Sequence, residues 1–352
     1  MAVRDLAVPG RVRETLTDGA LAPGWLAHGL LVVPFLLDVE VPLALQYAPL
    51  AVSVLVLGLP HGAVDHLAVP RVRDRPVTLR ALAGVGALYG LLGGAYLALW
   101  FLAPVPAFLL FIAITWAHWG QGDIYALLAL ADVEHLRTRP QRVATAAVRG
   151  GLPMLVPLLS YPGQYRRVAR ALTGRFGVGP AELAPLFRVE TRFALGAAFA
   201  LLSLGTLAVG LARAERGLAE RGWRLDAGET ALLWVFFLAV PPILAVGVYF
   251  CLWHSLRHIA RLVLLDEGSV SGLQGGDLGP ALRGFTRDAA PLTAVSVAFL
   301  AAFYYLVPVR PANLAEGVGL YLVLIAVLTL PHFAVVSLMD RVQGVWTVSP
   351  SG

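Results

Sequence analysis

The sequence predicts an all-α fold, a polytopic integral membrane bundle of about eight transmembrane helices, on three observations. Hydrophobic residues make up 58% of the 352 and charged residues only 14%, against about 45–50% and about 25% in a soluble domain. The mean hydropathy is +0.74. The apolar residues also gather into runs of spanning length, and a spanning helix needs about 20 of them because in hydrocarbon each backbone polar group must find its partner within the segment.

Such runs lie at about 21–37, 41–66, 81–103, 105–130, 193–212, 230–264, 289–309 and 317–339. They are preceded by a polar amino-terminal segment, 1–20, with no short apolar core and small-residue cleavage site, so no removable signal peptide is expected. Residues 21–340 read as a single membrane domain without internal repeats, and 341–352 as a tail. The uncharged stretch 81–122 is too long for one span, and Pro104-Val105-Pro106 divides it into a hairpin. Pro241-Pro242 removes two amide donors from the run 230–264 and predicts a break there, with a second helix near Ile243–Leu264. A ninth candidate, 143–160, is interrupted by Arg149, Gly150, Gly151, Pro153 and Pro157 and reads as a short or re-entrant segment, which leaves the parity of the topology open. The Gly-rich stretch 268–280 reads as a flexible connection.

Charge sets the expected orientation and excludes some functions. No lysine is present, so all 27 basic side chains are arginine. Arg71, Arg73, Arg75 and Arg80 form one cluster and Arg137, Arg139, Arg142 and Arg149 another, whereas the turns at Asp38-Val39-Glu40 and Pro104 carry none. That asymmetry puts the arginine-rich loops and the amino terminus in the cytoplasm, with the cell membrane as the expected location. The arginines of 161–190 fit this alternation only if 143–160 fails to cross. The net charge of +5 is spread over short connections rather than one basic face, so nucleic acid is not an expected partner. The single cysteine, Cys251, lies in an apolar run, which leaves nitrogen and oxygen as the only donors for a metal.

The chemistry-bearing residues are histidines. His28, His61, His66, His118, His254, His258 and His332 lie in or beside apolar runs, and only His135 reads as loop-borne. An unpaired imidazole is costly in hydrocarbon, so intramembrane histidines face the bundle interior and are functional candidates. His254 and His258, in His-Ser-Leu-Arg-His, project from one helix face a turn apart, the spacing that lets two imidazoles share a metal or meet neighbouring helices. His61 opens His-Gly-Ala-Val-Asp-His, where Gly62 permits close approach and Asp65 is placed to orient an imidazole through its second nitrogen. His66 points away from His61 and suits packing or an outer position. His118 sits mid-run between Trp116 and Trp119, with Asp123 further on. At similar depth, His61, His118, His254 and His258 would give an all-imidazole site open to oxygen or substrate, and such ligands suit iron, copper, zinc or nickel. His332 shares a face with Asp340 and would brace the site or hold water. Packing is the expectation for His28 and for Tyr249, Phe250, Trp253, Phe303, Tyr304 and Tyr305.

At His61-Gly62-Ala63-Val64-Asp65-His66, His118-Trp119-Gly120, His254-Ser255-Leu256-Arg257-His258 and Pro331-His332, over about 40–340, the chain resembles the Brp/Blh family of membrane β-carotene 15,15′-dioxygenases. The resemblance implies an enzyme that uses O2 to split the central double bond of β-carotene into two molecules of retinal, the chromophore of microbial rhodopsins. It implies a non-haem Fe(2+) held by His61, His118, His254 and His258, with Asp65, His66 and His332 as possible outer residues. Functional coupling to a rhodopsin follows from the family alone. The long stretch between His118 and His254 departs from compact members. Two other readings remain open: a non-enzymatic carrier of carotenoid, retinal or haem, and a membrane di-iron desaturase or hydroxylase, for which the histidines are too few and too little clustered.

Overall fold

The computed structural model describes residues 6–131, 133–179, 181–214 and 218–348. The first five residues of the amino-terminal segment and the last four of the tail lie outside these. The described residues form helices and turns and no strand. In chain order the α-helices are α1 (Gly10–Leu16), α2 (Ala22–Leu36), α3 (Leu43–Gln46), α4 (Ala48–Ser53), α5 (Gly58–Gly62), α6 (Asp65–Val72), α7 (Leu79–Leu102), α8 (Pro104–Ala129) and α9 (Arg139–Ser160). They continue with α10 (Pro162–Thr173), α11 (Val189–Arg213), α12 (Leu218–Ala239), α13 (Pro242–Tyr249), α14 (Leu256–Val263), α15 (Glu267–Gln274), α16 (Gly279–Leu306) and α17 (Leu314–Gln343). π-Helical turns at Thr17–Leu21 and Phe250–Ser255 join α1 to α2 and α13 to α14.

Eight helical stretches among the described residues are long and apolar enough to cross a membrane: Gly10–Leu36, Leu43–Val72, Leu79–Leu102, Arg139–Ser160, Val189–Arg213, Pro242–Val263, Gly279–Leu306 and Leu314–Gln343. Their outer faces display large apolar side chains such as Leu30, Leu91, Phe193, Leu201 and Phe299, a surface that suits lipid rather than water. The chain is therefore a polytopic helical membrane bundle.

The membership of the eight corrects the sequence reading. Residues 143–160 are not a short or re-entrant segment: they belong to α9, a continuous helix of 22 residues. The glycines that look like interruptions are its contact with α8. A Cβ on Gly150 would collide with the carbonyl of Trp116, and one on Gly120 with the carbonyl of Ala146, so the two backbones meet as only small residues allow. Conversely α8, expected to span, is helical for 26 residues but is not among the eight. Its second half, with His118, Gln121 and Asp123, is buried in the bundle, where polar groups can be satisfied by neighbours.

Other boundaries also shift. The first helix starts at Gly10 rather than 21, running through its π turn to Leu36. The run 41–66 is broken into α3 to α6, with Leu57 in the left-handed region at φ 67°, and a Cβ on Gly58 would strike the Ser53 carbonyl. Pro241-Pro242 breaks the next long run as expected, with Pro242 starting α13. Residues 268–280 are not simply flexible: α15 forms because the Asp266 carboxylate accepts from the Ser269 amide at 2.9 Å and hydroxyl at 2.7 Å, an N-cap that outweighs the glycines. The largest apolar core, with Trp100, Phe236, Phe237, Tyr249 and Trp253 fully buried, packs at the centre of the bundle.

Candidate metal centre

Five imidazoles meet inside the bundle, each delivered by a different local device. His61 comes from α5, aimed inward by the break at Leu57. His118 comes from the buried half of α8, His254 from the π turn, His258 from α14 and His332 from the middle of α17. The His254 and His258 rings are nearly parallel, 6.5 Å apart between centroids, as the four-residue spacing predicts. The His61 ring stands 5.3 Å from His254 and 5.6 Å from His258, and the His118 ring 4.7 Å from His254 and 6.4 Å from His258. The His332 ring stands 5.1, 4.7 and 5.0 Å from His61, His118 and His258.

The orientation of two rings is fixed from behind. His61 Nδ1 bonds to the carbonyl of Gly58 in its own turn. His332 Nδ1 bonds to Asp65 Oδ2 at 2.7 Å, and the Tyr89 hydroxyl donates to the same oxygen at 2.6 Å. Asp65 thus orients an imidazole, as its position suggests, but on α17 rather than beside it in sequence. Both ring nitrogens of His118 and His258, and Nε2 of His254 and His332, are buried with no hydrogen-bond partner among the described residues. Leaving one such atom unpartnered costs about 1–3 kcal/mol. The donor set is one that could hold a metal ion through those lone pairs, and imidazole suits iron, copper, zinc or nickel. One ligand atom each of His61, His118 and His332 lie within 4.8 Å of one another, and Asp65, His258 and His332 form a second such group.

Not every histidine joins. His66 turns its Nδ1 to the Ala63 carbonyl at 2.9 Å and has no ring contact with the cluster. His28 is buried against Phe236, Tyr249 and Trp253, the packing role expected of it. His135 lies in the turn between α8 and α9, loop-borne as the sequence predicts, yet it is buried and bonded to Asp226 at 3.1 Å. Asp340, expected with His332 to brace the site or hold water, pairs with Arg261 at 2.8 Å and accepts from Trp346.

Behind α14 lies an ionic network that sequence reasoning missed. Arg149, assigned above to a cytoplasmic loop cluster, is fully buried and contacts Asp226 at 2.7 Å, Glu229 at 2.9 Å and Asp123 at 3.5 Å. Arg257, between the two histidines of the His-Ser-Leu-Arg-His motif, faces the other way to Glu229 at 2.5 Å and Asp123 at 3.1 Å, with its guanidinium 4.0 Å over the Trp253 ring. Charged residues inside a predicted span, two arginines matched by three acids on other helices, were the available signal.

His61, His118, His254 and His332, with His66 outside the cluster, form part of the wall of a cavity of about 1000 Å³. Its walls are otherwise mostly apolar and include Leu97, Phe111, Ile112, Met154, Phe299 and Leu328. Along α7 it runs from Leu82 to Leu97, on both sides of Tyr89, and along α17 from Ala315 to His332. At 1.5 Å per residue the latter is about 25 Å of helix. Of the four glycines of α7 that border it, Gly93 packs against Val327, whereas Gly86, Gly90 and Gly94 have open space where a side chain would go.

Fold and site together define a class: a polytopic helical membrane protein with an intramembrane imidazole centre beside a long apolar cavity. A family model described as beta-carotene 15,15′-dioxygenase matches residues 52–340, and the chain belongs to that family, the Brp/Blh group. It is 52% identical over 336 residues, 95% of this chain and 96% of the relative, to a protein of Halobacterium salinarum described as probable beta-carotene 15,15′-dioxygenase Blh. A second protein of that organism, described as probable beta-carotene 15,15′-dioxygenase Brp, is 31% identical over 88% of this chain and 87% of its own length. A beta-carotene 15,15′-dioxygenase of an uncultured marine bacterium is 24% identical over 59% of this chain and 66% of its own. No solved structure matches the chain.

Proposed function

We propose that the chain cleaves the central 15,15′ double bond of β-carotene with O2 to give two molecules of retinal, at a non-haem Fe(2+) held by His61, His118, His254 and His258. The observation that carries this reading is the meeting of buried, unpartnered imidazole nitrogens at the wall of a long apolar cavity, in a chain of this family. The iron, when bound, supplies the activation of O2 that a closed-shell polyene does not undergo unaided. All else is the work of the protein. The apolar walls take up a hydrocarbon that partitions into a bilayer and keep water from the reacting carbons. The cavity is at the upper end of the roughly 300–1,000 Å³ range for small-molecule sites, as a long polyene requires. Because it continues on both sides of Tyr89, the two halves of an internally cleaved substrate both have room. Selectivity among electronically similar double bonds then comes from which one the walls hold nearest the histidines.

Residues 21–340 act in this reading as one catalytic domain in the cell membrane, and the retinal would serve a microbial rhodopsin without need of physical contact. The test is expression in a β-carotene-producing host. The wild-type chain is expected to turn orange cells pale with accumulation of retinal, and His118→Ala or His254→Ala to abolish this. Purified protein is expected to contain iron without a Soret band. Carotenoid returned unchanged, a haem spectrum, or full activity in both variants would overturn the proposal.

A further inference from the structure

His332 stands out because it belongs to both groups of tightly convergent ligand atoms, with His61 and His118 in one and with Asp65 and His258 in the other. Its ring is edge-on to three of the four proposed ligands, at 4.7–5.1 Å between centroids. Its two nitrogens have separate environments. Nδ1 faces the Asp65 carboxylate at 2.7 Å, and since a carboxylate only accepts, Nδ1 carries the hydrogen. The lone pair is thereby placed on Nε2, which is buried and has no hydrogen-bond partner among the described residues. A purely structural histidine in this position would leave that lone pair unsatisfied among four other imidazoles. A metal-binding one would not, and a carboxylate on the far nitrogen is the arrangement that fixes the tautomer and strengthens an imidazole donor.

We propose that His332 is itself a ligand, adding its Nε2 to the four histidines of the reading above, and that Asp65, steadied by the Tyr89 hydroxyl at 2.6 Å, is its positioning residue. This rests on the metal site of the proposed function and enlarges it from four nitrogens to five. It also gives the broken segment after α4 a purpose. The bend between α5 and α6 lets one short stretch present His61 from the front and Asp65 to the back of a ring on α17. Gly62 lies against the His332 ring, where an added Cβ would be in ordinary contact at 3.6 Å from Nδ1.

The test is an imidazole count by X-ray absorption on the purified, iron-loaded protein. The expected result is scattering from five imidazoles in the wild type and four in His332→Ala, with iron retention restored when free imidazole is added to fill the vacated space. Four in the wild type, or a count unaffected by His332→Ala, would overturn the assignment. Because His332→Ala could fail to accumulate, Asp65→Asn provides an independent reading. It keeps an acceptor oxygen but loses the charge, and should lower iron affinity about 10–100-fold at an unchanged count, the usual effect of removing such a partner. Tyr89→Phe should move affinity the same way by less. Unaltered affinity in Asp65→Asn would remove Asp65 from the proposal. A wild-type protein that holds five-imidazole iron and forms no retinal would sink the activity proposed above while leaving this ligand set standing.

Discussion

His66 and His332 differ in what lies behind each ring. His66 Nδ1 bonds to the Ala63 carbonyl of its own turn, which turns the side chain from the cluster, whereas His332 Nδ1 is held by a carboxylate from another helix. His66→Ala is therefore expected to keep the iron stoichiometry of the wild type within about twofold, where loss of an outer partner of a ligand costs about 10–100-fold. Iron content of the purified variant measures this, and a loss as deep as in His118→Ala would place His66 in the site. The contrast also marks how far the site was legible. The four-residue spacing of His254 and His258 announces their shared face, and the Gly-rich neighbourhood of His61 announces close approach. His332 could not be placed, because the pairing of Asp65 with it spans 267 positions of sequence and no local spacing reports such a contact. His135 is on a turn as expected, but its burial was not legible for a similar reason: its partner Asp226 lies on α12, 91 positions away.

At the scale of elements, hydropathy located the helices and misjudged how some of them meet. Gly150 and Gly151 look like helix breakers when α9 is considered alone, since glycine costs about 1 kcal/mol in a helix interior. Against α8, Gly150 is a point where the backbones touch, and Gly151 leaves room for the side chains of Trp116 and of Phe199 on α11. Gly150→Val should separate α8 from α9, lower stability by at least about 1–3 kcal/mol through overpacking, and displace His118. A fall in both the thermal midpoint in detergent and the iron content is expected, and a stable variant with full iron would show that the crossing is not what positions His118. On α7 the glycines act differently. Gly90 borders the cavity and has nothing within 4 Å of an added Cβ. Gly90→Trp should therefore fold and keep its iron while obstructing the apolar route, lowering retinal formation by about 10²-fold, the scale at which misplaced substrate slows a reaction. Unchanged turnover would mean that the polyene does not pass α7.

Considered as a whole, the molecule places a network of buried charges behind its histidine pair. Asp123 on α8, Arg149 on α9, Asp226 and Glu229 on α12 and Arg257 on α14 connect four elements through contacts of 2.5–3.5 Å, and the Trp25 indole of α2 donates to Glu229 at 2.6 Å. Two guanidinium groups face three carboxylates. A buried ionic network is weak evidence of stability for its own sake, because desolvation offsets much of the attraction, but removing one member leaves its partners uncompensated. Its geometry suggests what it does instead: Arg257 is drawn toward α8 and α12, which sets the rotation of α14 and so directs His254 and His258 to the opposite side, toward the other imidazoles. Arg149→Met would leave Asp226 with only His135 and would leave Asp123 and Glu229 to share Arg257. The expected cost is about 3–5 kcal/mol, measured as a lower unfolding midpoint, together with weaker iron binding although Arg149 touches none of the histidines. Adding Asp226→Asn to Arg149→Met removes one of the uncompensated charges and should recover part of both losses. If the single variant lost stability but bound iron as tightly as the wild type, the network would hold the bundle together without setting the direction of the histidine pair.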